Sequence, residues 1–487
     1  MMGIVDFGLY IPYHRLPREA IGEAWRMEQA KELLIGERAV AGFDEDTVTM
    51  AVEAVLEALG PRQEAGVDAL FFASTTPPFG EKSSAAVVAA ACDLPVRRSA
   101  DVTGTLRAGT TALGLALDAV RAGSARRAVV AAADMRPFEP GTLQEAVSGD
   151  GAAALVIGEG DDVVAVIEGE VHLSDPTVDV WRHAERRYLS TDDESFANQV
   201  GYFALVNEAV DELLRQAGVE AESVAGVALY APDGRAYMRL ARKSPLGPAL
   251  ARAGLMGPAP RLLMAAGNLG AAFPLAQLAL LLETAQPDDL LVLVGYGDGA
   301  DAYLLRVTPA IAKRPPRRPA AFWLETKGPI PYTQALFFRQ HIRDKPLFPP
   351  GAEPWTSLPL LYRERGELLA LRAQRCTSCG AVWWPHRPNC YECGAQEGFE
   401  FVRLGRRGTV ATFEVEWAIP HPAPPVGMVT VDTAEGARIT TQTTDGDPRV
   451  LAVGQEVELA FRLFHTAKAL PHYSWKVRVR GEGRKET

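Results

Sequence analysis

The sequence of 487 residues predicts an α/β protein with a duplicated, layered first domain, followed by a zinc ribbon and a small all-β barrel. Three observations predict this architecture. Helix and strand patterns within about the first 310 residues occur twice in the same order. Two closely spaced cysteine pairs follow, and five short β-like stretches occupy the C-terminal part.

The duplication consists of four pairs of segments that are offset by roughly 150–163 residues. Each half has a helix, a turn and a strand, then a polar small-residue loop that opens an Ala/Leu-rich helix, and then two apolar strands. The matched segments are 50–75 with 205–232, 103–120 with 266–283, 126–135 with 288–297, and 148–158 with 296–306. Alternating helices and strands predict a largely parallel sheet that helices cover.

The Ala/Gly-rich helices at 106–120 and 270–283 carry little polar surface and are expected to be buried. Sandwiched between sheets, they give five layers in the order α/β/α/β/α, with halves at about 1–160 and 161–345. The run 262–282 has no charge and is long enough to span a bilayer. Its Gly and Pro residues nevertheless favour a helix buried in a soluble core.

The composition restricts the class of protein. With 47% hydrophobic and 23% charged residues, the chain is typical of a globular protein. Its net charge of −11 and the lack of a strongly basic region argue against nucleic-acid binding. Five cysteines are too few for a disulfide framework, and no secretory signal is visible. We therefore expect a cytoplasmic protein without a nucleic-acid or membrane partner.

Two Pro-rich stretches, 308–320 and 346–359, interrupt the second half of the sequence. Such composition favours extended connections over packed structure. We place the main boundary near residue 355. The expected domains are 1–350 for the layered domain, 356–400 for a helix plus the zinc ribbon, and 401–487 for the barrel.

The cysteines indicate a metal site. Cys376-x-x-Cys379 is followed, after ten residues, by Cys390-x-x-Cys393. Four thiolates complete the tetrahedral shell of Zn²⁺ and leave no open position, so the predicted ion is structural. A helix is expected at 360–375, leading into the ribbon.

The β-like stretches after the ribbon are short and regularly spaced, with turn residues between them. They cover residues 408–418, 426–433, 436–443, 454–463 and 473–480. Five is the strand count of an OB barrel. A zinc ribbon with an OB fold is able to bind nucleic acid, but the near-neutral charge here offers no electrostatic groove.

Four segments show a family resemblance: WRHAERRY (181–188), LYAPDGRAYMRLARK (229–243), AGNLG (266–270) and GYGDGADA (295–302). With them, the first 345 residues resemble the thiolase superfamily, most closely the archaeal-type hydroxymethylglutaryl-CoA synthases. The C-terminal part resembles the rubredoxin-like zinc-ribbon/OB-fold proteins that accompany thiolase-like enzymes. The resemblance implies an acyl-CoA thioester as substrate, a homodimer, and a possible thiolase-type partner.

The family's chemistry uses a cysteine nucleophile, a histidine and a glutamate. Matched to the family's motifs, these positions carry Leu106, Tyr230 and Thr75 in this sequence, whereas the active-site asparagine is kept as Asn268. The resemblance also implies substrate contacts by Arg235, Gly267 and Gly297. We therefore expect the reactive set to be missing, and no cysteine lies between Cys92 and Cys376 to replace it.

The remaining candidates for catalysis are Tyr230, Tyr296 and Asn268. Thiolase-like retro-aldolases that pair with a zinc-ribbon/OB partner lack the nucleophile and are thought to rely on tyrosines. Because aldol cleavage needs no acyl-enzyme, we predict acyl-CoA C–C chemistry of the aldolase type. The alternatives are a catalytically silent acyl-CoA-binding or scaffold protein, in which Tyr230 and Tyr296 only fill space, and a conventional acyltransferase of the superfamily.

Overall fold

Two structural units make up the part of the chain that the computed structural model describes, residues 1–28, 31–60, 66–315, 317–342, 356–467 and 469–479. The first unit is Met1–Ala41, Asp46–Ala89 and Leu94–Leu336, and the second is Gly42–Glu45, Ala90–Asp93 and Phe337–Thr487. The boundary expected near residue 355 lies outside the described residues, so the domain limits stay predictions.

The elements up to residue 342 are strands and helices of both halves. The strands are β1 Met2–Tyr10, β2 His14–Pro17, β3 Glu37–Val40, β4 Val67–Ala73, β5 Arg98–Val102, β6 Arg127–Asp134, β7 Gly151–Glu159, β8 Ala165–Ser174, β9 Val180–Trp181, β10 Ser190–Thr191, β11 Val224–Leu229, β12 Leu290–Tyr296, β13 Gly299–Val307 and β14 Gly328–Pro329. The helices are α1 Arg18–Trp25, α2 Thr47–Leu59, α3 Ser84–Ala91, α4 Ala108–Arg121, α5 Leu143–Val147, α6 Glu194–Ala197, α7 Ala204–Ala217, α8 Gly234–Ala241, α9 Gly247–Ala253, α10 Pro258–Ala265, α11 Phe273–Leu282, α12 Ala320–Glu325 and α13 Tyr332–Phe338.

The predicted repeat is present. Helix α2 and strand β4 in the first half correspond to α7 and β11 in the second, and α4 corresponds to α11. Strands β6 and β7 likewise correspond to β12 and β13. The order is the same in both halves, as the apolar patterns of the sequence predicted.

Nine strands form one sheet in the order β11-β12-β13-β8-β1-β7-β6-β4-β5. The two halves meet where β1 pairs with β8, through Gly3 opposite Val166 and Ile4 opposite Ala165. A Cβ at Gly3 would lie 2.1 Å from the carbonyl oxygen of Ala165, so the two strands approach as closely as they do only because residue 3 is glycine.

The expectation of a largely parallel sheet is wrong. Only β4–β5, β4–β6 and β11–β12 pair in parallel among the described strands of this sheet, and the other pairs are antiparallel. One reason is local. Only Gly297 and Asp298 separate β12 from β13, and both have positive φ (143° and 48°). A two-residue connection folds the chain back on itself, which requires antiparallel pairing.

The central helices pack as expected from their composition. Almost every side chain of α11 is buried, and α11 packs against α4 and against strands of both halves. Its one amide, Gln277, is satisfied by the N–H and C=O of Leu229. Helix α4 keeps a partly exposed face that includes Leu115. The uncharged run 262–282 is divided between the end of α10, a turn and α11, and no described helix is long and apolar enough to cross a membrane.

The second unit carries the ribbon and the barrel. Its elements are α14 Leu358–Arg363, α15 Arg365–Leu368, β15 Arg372–Cys376, β16 Val382–Trp383, β17 Phe399–Arg403, β18 Arg407–Glu416, β19 Val426–Thr433, β20 Arg438–Thr444, β21 Glu456–Ala467 and β22 Leu470–Arg478. The last five close into a barrel in the order β18-β19-β20-β22-β21, with β20 and β22 parallel. The five-stranded OB barrel was predicted correctly.

The helix expected at 360–375 is wrong in its second half. The chain forms the short helices α14 and α15 and then enters strand β15 at Arg372. Leu371, three residues after α15, has a φ of 54°, a left-handed conformation that a right-handed helix cannot contain. Arg372 then pairs with Arg403 of β17, so a contact distant in sequence overrides the local helical preference.

Buried ion pairs lie inside the second unit. The Arg462 guanidinium lies 3.1 Å from a Glu45 carboxylate oxygen and 2.8 Å from one of Asp445. The Lys476 ammonium lies 2.9 Å from a carboxylate oxygen of Asp44. All these side chains are almost completely buried, so each charge depends on its partners.

Candidate active site and metal centre

A cavity of about 90 Å³ lies in the first unit, at the ends of β6 and β11. Tyr230 directly follows β11, and Asn268 lies in the loop between α10 and α11. Both line the cavity, together with Arg136, which comes two residues after β6. The structure thus brings two of the three candidate catalytic residues into one cavity.

Tyr230 is held rigidly. Its backbone N–H donates to the carbonyl oxygen of Val294 at 2.9 Å, and its own carbonyl accepts a 2.7 Å hydrogen bond from the Tyr202 hydroxyl. Its ring lies 6.1 Å from that of Tyr296 and 6.4 Å from that of Phe273, measured between centroids. Burial raises the pKa of the Tyr230 phenol, so it stays protonated at neutral pH.

Asn268 holds the loop after β11 in place. Its Nδ2 donates to the carbonyl oxygens of Ala231 and Pro232 at 2.8 and 3.2 Å, and its Oδ1 accepts from the N–H of Gly270 at 2.8 Å. The Arg136 charge and the Asn268 amide oppose the effect of burial on the pKa of the Tyr230 phenol. The amide therefore positions the segment that carries Tyr230.

Tyr296 ends strand β12 and is almost completely buried. Its hydroxyl lies beside the Asp179 carboxylate, yet it makes no hydrogen bond of normal geometry within the described residues. Burial and, to a smaller extent, the Asp179 charge raise the pKa of this phenol far above its ordinary value. Like Tyr230, Tyr296 is therefore a proton donor at neutral pH.

Leu106 and Gly297 lie against each other, so the loop before α4 meets the turn between β12 and β13. The Thr105 hydroxyl donates to the carbonyl oxygen of Gly297 at 2.8 Å. A Cβ at Gly297 would lie 2.8 Å from the Cβ of Leu106. Leu106 is buried and does not line the cavity.

Thr75 is bound to a buried carboxylate, that of Asp134. The two oxygens of Asp134 accept five hydrogen bonds, from the Thr75 N–H at 2.7 Å, from the Ala271 N–H at 2.8 Å, and from the hydroxyls of Ser74, Thr75 and Thr76 at 3.0 Å. Asp134 was not predicted from the sequence. An acid at the end of an apolar strand was the available signal.

Arg235 and Gly267 do not line the cavity. The Arg235 guanidinium lies 3.8 Å from a carboxylate oxygen of Glu32, and both side chains are more than half exposed. Gly267 has a φ of 93°, and a Cβ there would lie 2.6 Å from the carbonyl oxygen of Ser148. Glycine at 267 thus permits a close backbone approach, and substrate binding by these residues stays a prediction.

Arg136 and Asp179 also line the cavity, and neither was predicted from the sequence as a site residue. The Arg136 guanidinium is buried and lies 4.9 Å from the centre of the Phe138 ring. Burial raises the pKa of Asp179. The signals were weak, because Asp179 lies two residues before a motif segment and Arg136 two residues after a strand.

The four cysteines predicted to bind zinc are together in the second unit. Their Sγ atoms lie within 4.8 Å of one another, with Cys376 and Cys393 3.7 Å apart and Cys379 and Cys390 3.6 Å apart. A tetrahedral Zn²⁺ with Zn–S bonds of about 2.3 Å holds its ligands about 3.8 Å apart, so the arrangement fits zinc. Trp383 packs against this cluster.

Comparison with known proteins places the first unit among acyl-CoA enzymes. The chain is 31% identical to the hydroxymethylglutaryl-CoA synthase of Aeropyrum pernix over 338 residues, which are 68% of this chain and 92% of that protein. It is 30% identical to the enzyme of Methanocaldococcus jannaschii over 352 residues, which are 70% of this chain and all of that protein.

Solved structures show the same fold at lower identity. A hydroxymethylglutaryl-CoA synthase complexed with CoA matches with a TM-score of 0.60 and 18% identity, covering 69% of this chain and 89% of that one. The 3-oxoacyl-(acyl carrier protein) synthase III of Pseudomonas aeruginosa matches with a TM-score of 0.56 and 20% identity, covering 63% and 98%. Residues 363–400 match the family described as the ChsH2 rubredoxin-like zinc ribbon domain.

Proposed function

The chain belongs to the hydroxymethylglutaryl-CoA synthase family, and we propose that it cleaves or forms a carbon–carbon bond in an acyl-CoA thioester by aldolase-type chemistry. Family membership supports an acyl-CoA-processing enzyme of C–C bond chemistry. The reaction class within that chemistry is our proposal.

One observation supports the aldolase type above all. The residue matched to the family's nucleophile is Leu106, an aliphatic side chain, and the sequence has no cysteine from residue 93 to residue 375. An acyl-enzyme thioester therefore has no sulfur to form on in this part of the chain. Aldol cleavage needs only a base for the 3-hydroxyl group and hydrogen-bond donors for the thioester enolate.

Tyr230 supplies a donor for such an enolate in this proposal. Burial keeps its phenol protonated, and its ring is fixed by neighbouring aromatic side chains. Asn268 fixes the loop that carries it. A preorganised donor in a cavity stabilises the negative charge that develops on the thioester oxygen when the C2–C3 bond breaks.

The zinc ribbon is structural, because four thiolates from Cys376, Cys379, Cys390 and Cys393 fill the shell of the ion. When bound, Zn²⁺ cross-links the two cysteine turns. We further propose a homodimer in solution and a possible thiolase-type partner, which size-exclusion chromatography with light scattering and co-purification test. The unpaired edge of β5 in the described sheet is compatible with association.

The test uses the full chain and a panel of 3-hydroxyacyl-CoA thioesters of increasing length. We expect a free aldehyde or ketone and a shortened acyl-CoA, both quantified by mass spectrometry. A stable covalent acyl adduct with radiolabelled acetyl-CoA after denaturation would instead establish a conventional acyltransferase. Tight acyl-CoA binding without turnover of any thioester would establish the silent binding or scaffold protein.

A further inference from the structure

The proposed cleavage needs a group that accepts the proton of the substrate's 3-hydroxyl, and the two phenols do not provide one. Burial raises the pKa of both Tyr230 and Tyr296, so both stay protonated at neutral pH. A protonated phenol is a donor, not a base. The base must therefore be another group in the cavity.

Three carboxylates line the cavity among the described residues: Asp179, Glu194 and Asp233. Asp233 is the N-cap of α8, and its carboxylate already accepts a 2.8 Å hydrogen bond from the backbone N–H of Ala236. Glu194 is exposed and bonded to the side chain of Gln144. Asp179 is partly buried and lies beside the Tyr296 hydroxyl.

The surroundings of Asp179 suit a base. Burial raises the pKa of its carboxyl, and the nearby charge of Asp298 acts in the same direction. The Val180 N–H, the Tyr296 hydroxyl and the Arg136 guanidinium oppose this shift by stabilising the carboxylate. A carboxylate whose pKa is moved toward neutral pH while it stays ionised is a more effective proton acceptor than an exposed one.

The backbone leaves space for the Tyr296 hydroxyl next to Asp179. A Cβ at Gly201 would lie 2.5 Å from the Tyr296 oxygen and 2.6 Å from the Cγ2 of Thr177, which is in the segment that leads to Asp179. Gly201 belongs to a π-helix, Asn198–Phe203, and such segments are frequent at functional sites. Only glycine at 201 allows this packing of the hydroxyl.

We propose that Asp179 is the general base of the cleavage and that Tyr296, whose hydroxyl packs beside it, is a positioning residue. This inference rests on the proposed function. Asp179 takes the proton of the 3-hydroxyl, whose oxygen becomes the carbonyl oxygen of the departing aldehyde or ketone. The electron pair of the C2–C3 bond moves into the thioester enolate, to which Tyr230 donates a hydrogen bond. C2 then takes the proton from Asp179, which restores the carboxylate.

The experiment compares wild type, Asp179→Asn, Tyr296→Phe and the matched control Asp192→Asn, an exposed carboxylate outside the cavity lining. With 3-hydroxyacyl-CoA substrates, we expect Asp179→Asn to lower kcat at least about 100-fold and to abolish the acid limb of the pH profile. Tyr296→Phe should lower kcat less and move the acid limb to higher pH, since it removes a nearby hydroxyl that lowers the pKa of Asp179. Asp192→Asn should match wild type.

Binding of 3-hydroxybutyryl-CoA and butyryl-CoA, measured by calorimetry, separates the two proposals. Asp179 should make wild type bind the hydroxylated thioester at least about tenfold more tightly, and Asp179→Asn should lose this preference. If wild type cleaves thioesters and Asp179→Asn stays within threefold of its kcat, the base assignment fails and the function stands. If wild type cleaves no thioester, the proposed function fails. The binding preference for the hydroxylated thioester then decides by itself whether Asp179 binds the 3-hydroxyl group. If Asp179→Asn does not fold, Asp179→Glu is tested instead. We expect the pH profile of this variant to keep the acid limb, and a profile without that limb would overturn the assignment.

Discussion

The Asp134 carboxylate accepts a 2.7 Å hydrogen bond from the backbone N–H of Thr75, the residue that we predict at the position of the family's glutamate. The other Asp134 oxygen accepts from the N–H of Ala271, just before α11. One fully buried acid therefore joins the turn after β4 in the first half to the start of the central helix in the second half. The arrangement links the duplicated halves at the level of single hydrogen bonds.

Replacing Asp134 should destabilise the first unit. Asp134→Ala leaves the Thr75 and Ala271 N–H groups without their acceptor, and we expect a loss of about 3 kcal/mol in the free energy of unfolding. Ser74→Ala removes a single donor and should cost about 1 kcal/mol. Urea unfolding followed by circular dichroism measures both, and equal effects of the two variants would contradict the central role of Asp134.

Tyr230→Phe removes the proposed donor to the enolate without changing the ring. We expect kcat for 3-hydroxyacyl-CoA cleavage to fall about 100-fold, the usual effect of losing one oxyanion donor. Tyr237→Phe, a buried phenol on α8 outside the cavity lining, is the matched control and should keep wild-type kcat. Steady-state kinetics on both variants would disprove the role of Tyr230 if their rates were alike.

Metal analysis tests the cysteine cluster. We expect about one zinc per chain by plasma mass spectrometry, since the four thiolates form a single tetrahedral shell. Cys379→Ser should lower the zinc content strongly, and a chelator should unfold the ribbon, because metal binding and folding of such sites are coupled. Cys92→Ala changes the remaining cysteine of the sequence and should leave the zinc content unchanged.

Removing one partner of the buried Lys476–Asp44 pair should cost more stability than removing one partner of an exposed pair. Lys476→Met leaves the Asp44 carboxylate buried without its cation, which we expect to cost about 3 kcal/mol. Lys327→Met breaks a partly exposed ion pair with Glu37 and should cost less than about 1 kcal/mol. Thermal unfolding compares the two, and a negligible effect of Lys476→Met would show that Asp44 finds other partners.

Acid should weaken the barrel through a histidine pair. The rings of His465 on β21 and His472 on β22 stack with centroids 4.4 Å apart. Burial lowers the pKa of both imidazoles, and the neighbouring His472 and Lys476 lower that of His465 further. Because the folded state holds these protons less tightly than the unfolded state, stability is present above about pH 6.5 and is lost as the pH falls through the lowered pKa values.

Melting temperatures between pH 7.5 and 5 check this expectation. The melting temperature should fall across the range for wild type and should fall less for His472→Phe, which removes one titrating ring. His183→Phe replaces an exposed histidine of the other unit and is the control. A parallel decline in wild type and His472→Phe would place the acid sensitivity elsewhere.

The sequence predicted the elements that local patterns determine. The repeated helices and strands follow from apolar periodicity, and the barrel strands follow from regular turn residues. The parallel or antiparallel direction of the strands did not follow from these patterns, because it depends on turns such as Gly297–Asp298. Strand β15 was mistaken for helix because its pairing with β17 is distant in sequence.

The candidate site was only partly predictable for the same reason. Tyr230 and Asn268 lie in motif loops and were found. Arg136 and Asp179 come from a strand end and a connecting segment that carry no repeated pattern, and only the tertiary fold brings them into the cavity. The chemistry of these two residues depends on burial and neighbouring charges, which a linear sequence does not display.

The junction at Gly3 makes the two copies of the repeat unequal. Strands β1 and β8 occupy equivalent places in the two copies. Where they pair, β1 has room only for the glycine at residue 3, whereas β8 carries the branched side chain of Val166. The copies are therefore no longer interchangeable. Any side chain at residue 3 would collide with the backbone of Ala165, so a substitution there would force the two halves apart at the strand pair that joins them.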